Sequence, residues 1–268
     1  MIPTDIIAML DETWVSISEV GHSLTEEQWK APTDLPGWTV QDNVAHLIGT
    51  ERVLQGLPHA PRVESTAEWV RNDIGRFNED EVEMRRSLPG ASILEEFDEL
   101  TALRRATFAG ADDEYFAQPM MTPVGPGDMA MFMNIRVLDN WMHEQDIRRA
   151  VGQRGHLSCA AAGHTVDRLC LTIPIVVGKR AGTPEGAAVA VDITGGVPRH
   201  LVAEVQNGRA AMVSTPSADP VATVSMDTET FVILAGGRRP YADVAGGVRL
   251  GGDTDLAERV VANFNMMI

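Results

Sequence analysis

Asp139 and His143 stand four residues apart in Arg136-Val137-Leu138-Asp139-Asn140-Trp141-Met142-His143-Glu144-Gln145-Asp146. On a helix, positions i and i+4 project from one face. A carboxylate and an imidazole one turn apart make half of a metal site of the kind helical bundles carry on their inward faces. The same spacing also fits an ordinary ion pair on a helix surface. Asp146, three residues further on, is placed to orient the imidazole, whereas Glu144 points about 100° away from His143. His46 lies among Val44, Ala45, Leu47 and Ile48, where it is either a satisfied core histidine or a ligand. Three such side chains from two helices would leave a fourth position open, which is the layout of catalytic zinc. Cys159 and Cys170 match no zinc spacing and are expected to be small buried hydrophobes.

These residues need helices to position them. Residues 4–20 place Ile6, Ile7, Leu10, Trp14 and Ile17 on one helical stripe. Leu35-Pro36-Gly37-Trp38 is a turn signal, and Thr39-Val40-Gln41-Asp42 then has the form of a capping box. The helix it opens carries His46 and is expected to run to near Pro58. Residues 66–86 and 91–109 also read as helices, divided by Pro89-Gly90. Pro119 to Gly127, rich in proline and glycine, reads as a loop. Asp128 to Val151 reads as one long helix closed by Gly152. Inward stripes on four principal helices suggest a bundle.

The pattern changes in the second part. A helix is expected over 159–178. Strands are expected from Ala187 to Ile193, Leu201 to Val205, Ala210 to Val213, Val221 to Met226 and Val248 to Leu250. Asn207-Gly208 is a hairpin signal. Helices follow at Asp227 to Leu234, capped by Asp227 or Thr228, and at Asp255 to Phe264. This ordering indicates an α+β domain. The expected division is 1–155 and 156–268.

Charge supports that boundary. Residues 1–155 hold 13 Lys+Arg against 27 Asp+Glu, and residues 156–268 hold 9 against 11, within a net charge of −16. An acidic helical surface disfavours a nucleic-acid partner. No apolar run is read as reaching the ~18–20 residues of a bilayer span, so no membrane is expected. The N-terminus lacks a basic, apolar leader, so the cytoplasm is the expected compartment. No heptad seam is visible, so a monomer or weak homodimer is expected.

Leu35-Pro36-Gly37-Trp38-Thr39-Val40-Gln41-Asp42-Asn43-Val44-Ala45-His46-Leu47 resembles the first signature of the DinB-like superfamily, in its mycothiol-dependent maleylpyruvate isomerase branch. The stretch from Arg136 to Arg148 resembles that branch's second signature, an acidic residue and a histidine one turn apart. Asp227 to Phe231, Leu234 to Arg238 and Gly251-Gly252-Asp253 resemble the family's second domain, related to sterol carrier protein 2. The resemblance covers nearly the whole chain and implies a cytoplasmic, actinobacterial-type protein. It implies a DinB-like four-helix bundle followed by a small α+β domain.

It also implies a divalent metal, zinc in the first instance, on His46, Asp139 and His143. In the characterised isomerase of that family the matching ligand is implied to be a Glu, and Asp139 is one methylene shorter. A functional arginine in a Gly-Arg motif is implied as well. Gly237-Arg238 matches best, Arg239 is its nearest competitor, and a surface arginine in a Gly-rich turn remains the plain alternative. A metal-bound thiol is deprotonated, so the implied thiol cofactor, mycothiol, would attack a small electrophile. In an isomerase the thiolate adds to a double bond, the resulting single bond rotates, and the thiolate leaves. In a transferase the adduct is released. The motifs do not encode the electrophile. The competing readings are a non-catalytic protein binding a metal or small apolar ligand, and a paralogue that keeps the site without turnover.

Overall fold

The computed structural model describes residues 1–65 and 67–265 and divides into two compact units, Met1–Gly155 and His156–Ile268. In the first unit, α1 is Thr4–His22, α2 is Val40–Leu54, α3 is Asp73–Arg85, α4 is Gly90–Gly110 and α5 is Met129–Ala150. Helices α1, α5, α2 and α4 pack in a ring of four, each against the next, and α3 lies outside against α2. The ring forms because each helix offers an apolar stripe. Leu10, Trp14 and Ile17 come from α1, Leu47 and Ile48 from α2, Ile93 and Phe97 from α4, and Met133, Val137 and Trp141 from α5. All are essentially fully buried. Gly49 lets α3 approach α2 closely, since a Cβ there would run into the Glu81 side chain.

Local signals set the helix ends. The Thr39 hydroxyl accepts from Asp42 N, and the Asp42 carboxylate accepts from Thr39 N at 2.8 Å, closing the expected capping box. The helix ends at Leu54, before Pro58. Asp128 caps α5, and Gly152, at φ 71°, follows its end in the left-handed region.

Two expectations in this unit are corrected. The helix read over 66–86 starts at Asp73, where Asn72 accepts from Gly75 N; its expected first residue, Thr66, lies outside the described residues. A free cap at Asn72 outcompetes the weak apolar pattern before it. The loop read over Pro119 to Gly127 is instead a hairpin, β1 Pro119–Thr122 with β2 Gly125–Asp128. A two-stranded ribbon has an edge on each side, so its prolines need remove no ladder hydrogen bond.

In the second unit, α6 is Ala160–Cys170, β3 Ala188–Thr194, β4 Arg199–Gln206, β5 Arg209–Met212, β6 Ala222–Asp227, α7 Thr228–Ala235, β7 Val248–Gly252 and α8 Thr254–Ala262. The strands form one sheet in the order β5-β4-β3-β6-β7, with β3 parallel to β6 and the other pairs antiparallel. Asn207 and Gly208, at φ 55° and 73°, make the expected tight hairpin between β4 and β5. Asp227 caps α7 by accepting from Thr230 N at 2.7 Å.

The helix expected over 159–178 is instead α6, a turn at Leu171-Thr172, a short turn Ile173–Ile175 and a π-helical turn Val176–Arg180. As a whole, Ala160–Arg180 is long and apolar enough to cross a bilayer by length and composition, contrary to the sequence reading, and half of it is buried. It packs against β4, β5 and α7 within its own unit. Cys170 is buried, Cys159 is half-buried, and both are free thiols.

Candidate metal centre

Helices α2 and α5 face each other in the ring, which brings His46 against Asp139 and His143. His46 Nε2 lies 3.2 Å from Asp139 Oδ2, and His143 Nε2 lies 3.4 Å from Asp139 Oδ1. The imidazole centroids are 4.8 Å apart. Two ligands at about 2.0–2.1 Å from a tetrahedral zinc lie about 3.3 Å from each other. Each histidine–carboxylate separation, one to each oxygen of Asp139, is close to that edge, and a two-histidine, one-carboxylate set suits a divalent metal. Asp is shorter than Glu, yet Asp139 reaches both imidazoles because it shares the face of α5 with His143.

The surroundings prepare these groups. Asn43, one turn before His46 on α2, has its Oδ1 2.7 Å from His143 Nδ1. An Nδ1–H donated to that oxygen leaves Nε2 with its lone pair facing Asp139. Asp146, expected to orient the ring, lies further away at 3.7 Å and is paired to Arg149. The amide is the closer partner because α2 delivers it across the helix interface.

Burial lowers the pKa of His46, with Asp139 offsetting part of the effect. Burial alone would raise Asp139, but the Arg136 charge and the two histidines outweigh it and hold the carboxyl well below its ordinary value. The result is an ionised carboxylate beside a neutral imidazole, as ligands must be. The histidines are nearly closed off, while the Asp139 side chain keeps 24% exposure, so the cluster opens on the aspartate side.

Trp38 covers another side. Its ring lies 5.4 Å from His46 and 5.9 Å from His143, centroid to centroid, and its Nε1 donates to Glu79 at 3.1 Å. Behind Asp139, Arg136 donates to the carboxylate and to Glu51, which also accepts from Arg104. Sequence reasoning found the three candidate ligands and missed Asn43, Trp38, Arg136, Glu51 and Arg104 as their supports. The helical phase of Asn43 and Arg136 was the one available signal, since each is three residues before a candidate ligand.

Arg238 lies in the second unit, at the end of α7. Gly237 N donates to Leu234 O at 3.0 Å and Arg238 N to Ile233 O at 2.9 Å, a Schellman cap with Gly237 at φ 64°. Gly237 is therefore needed to end the helix. The Arg238 side chain, half-buried, donates to Gly236 O at 2.8 Å.

A helical bundle with a histidine–carboxylate cluster, followed along the chain by an α+β domain, is the class this fold defines. Within it, the chain belongs to the mycothiol maleylpyruvate isomerase family. That family's N-terminal domain matches residues 10–148, and its C-terminal domain matches residues 164–259. It is a family of mycothiol-using isomerases, and the chain is an enzyme of that family. A crystal structure of the mycothiol-dependent maleylpyruvate isomerase is similar, with 14% identity, 94% of this chain and 93% of that chain covered, and a TM-score of 0.54. A histidine-to-alanine mutant of that isomerase matches with 13% identity, the same coverage and a TM-score of 0.55. Sterol carrier protein 2 like 2 from Aedes aegypti matches 36% of this chain and 93% of its own, with 20% identity and a TM-score of 0.28. A search of curated proteins returns no match.

Proposed function

We propose that this enzyme uses a divalent metal, zinc in the first instance, held by His46, Asp139 and His143, to activate mycothiol toward a small electrophile. The reaction is an isomerisation or an S-transfer, and the crystallised isomerase makes maleylpyruvate the first substrate to try. The observation that carries this reading is the spacing of the three donors, 3.2 and 3.4 Å along the two histidine–aspartate edges. A bound metal would supply the charge that removes the proton from a thiol, whose unperturbed pKa is about 8.5.

The chain's own residues do the rest. Asn43 holds one tautomer of His143. Burial keeps His46 neutral. The exposed part of Asp139 leaves an entry for thiol and substrate. Trp38 shields the imidazoles from water. Arg238 is proposed as the group that binds a substrate carboxylate, for which a guanidinium's planar fork is suited.

Elemental analysis of untagged wild type and His143→Ala tests the metal. The expected result is about one metal per chain in wild type, lost in the variant, as three protein ligands and an open position require. Chelator-sensitive turnover of mycothiol with maleylpyruvate or another electrophile should follow. A wild-type protein that carries no metal and takes up none when offered zinc ends this reading.

A further inference from the structure

The buried charges behind Asp139 form a continuous chain. Arg104 Nε donates to Glu51 Oε2 at 2.9 Å, Arg136 Nε donates to Glu51 Oε1 at 2.9 Å, and Arg136 Nη1 donates to Asp139 Oδ2. Arg104, Glu51 and Arg136 are each at most 2% exposed. Three full charges thus sit in the bundle core and end on a candidate ligand. Packing does not require them, because exchanging a buried ionic triad for apolar residues of similar volume often leaves stability unchanged or raises it.

The geometry of Arg136 is specific. Its fork is fixed at one corner by Glu51 and at another by Asp139, while Nη2 is buried with no hydrogen-bond partner. A guanidinium placed for its own solvation would not leave that donor unmet. Its orientation is instead set by the two carboxylates. Glu51 cannot swing, since Arg104 holds its other oxygen. Arg136 therefore engages Oδ2 from a rigid base, with that oxygen also 3.2 Å from His46 Nε2 and with Oδ1 3.4 Å from His143 Nε2.

We propose that Arg136, anchored through Glu51 and Arg104, is a positioning residue of the metal centre: by gripping Oδ2 it fixes the orientation of the Asp139 carboxylate, so that Oδ2 stays turned to His46 and Oδ1 to His143. A carboxylate held in one orientation keeps the three candidate ligands converged on one point. This inference rests on the metal-site reading above.

The test is a titration of chelator-stripped, full-length protein with Co2+, followed by visible absorption. The intensity per bound cobalt falls as coordination number rises, so the spectrum reports geometry apart from affinity. Wild type is compared with Arg136→Lys, which keeps the charge and loses the fork, and with Glu51→Gln, which is nearly isosteric and loosens the anchor. Both variants should bind cobalt roughly 10–100-fold more weakly, the usual range for a lost supporting contact, and with a changed spectrum per bound cobalt. If Arg136→Lys does not fold, Glu51→Gln decides alone. A wild type that binds no cobalt overturns the metal-site reading and this inference with it. A wild type that binds, with variants matching its affinity and spectrum, overturns the inference alone. So does weaker binding with an unchanged spectrum, which is what general loosening of the bundle would give.

Discussion

The two units of this chain build their interiors from different materials. Met1–Gly155 buries Glu51, Arg85, Arg104, Arg136, Glu144 and Asp146 among its apolar side chains. In His156–Ile268 the fully buried residues are mostly aliphatic, such as Val189, Val191, Val224 and Val232, with Phe231, Thr165 and Thr228 among them, and among the described residues Glu204 is the one buried charged side chain. An aliphatic interior is stabilised by area and shape alone. A charged interior holds only where every charge meets a partner, and then it also fixes directions. The first arrangement is sufficient for a sheet with helices packed on it. The second is what a cluster of histidines and a carboxylate needs, because donor atoms must point as well as pack.

The largest expected effect breaks this comparison at its centre. Glu51→Ala leaves Arg104 and Arg136 buried without their shared carboxylate and should cost about 3–5 kcal/mol. All five tryptophans lie at or before Trp141, so urea unfolding followed by tryptophan fluorescence reports the first unit specifically. A cost below about 1 kcal/mol would place these charges in water, at the worth of surface pairs, and erase the distinction drawn here.

A second effect sharpens the comparison through pH. The folded pKa of His46 lies below its unfolded value of 6.5. As pH falls through 6.5, the unfolded chain takes up a proton that the metal-free folded protein resists, so stability should be lost from that point downward. Asp139, whose folded pKa is depressed, contributes stability above its unfolded value of 3.8 and loses it only at more acidic pH. Melting temperatures of chelated protein between pH 8 and 5 should therefore fall in the acid half of that range, and His46→Gln should flatten the slope. An equal slope in both proteins would remove His46 as the cause.

The smallest effect belongs to the second unit. Ile193→Val in β3 removes one methylene from a well-packed interior and should cost about 0.5–1.5 kcal/mol. Hydrogen exchange of the β3–β4 amides is the measurement, and a larger loss would mean that this interior is as sensitive as the charged one.

Much of the scaffold was legible along the chain because it rests on local rules. The capping box at Thr39 and Asp42, the Asn207-Gly208 turn and the Asp227 cap each involve residues within a few positions of one another. The phase of Asp139 and His143 followed from helical geometry in the same way. Where competing local signals were close in strength, the reading slipped. Pro119 to Gly127 carried loop composition and formed a hairpin, and the start of α3 fell to Asn72 rather than to the apolar residues upstream.

The sequence by itself determined which residues could be ligands, where the charge changes character and which segments are helices or strands, since periodicity and capping act over one or two turns. Only the tertiary structure decided that His46 meets Asp139, 93 positions away along the chain, that Asn43 rather than Asp146 orients His143, and that Glu51 ties Arg104 to Arg136. The physical reason is that a charge is tolerated in a core only through a partner, and that partner is chosen by how helices pack rather than by its distance along the chain.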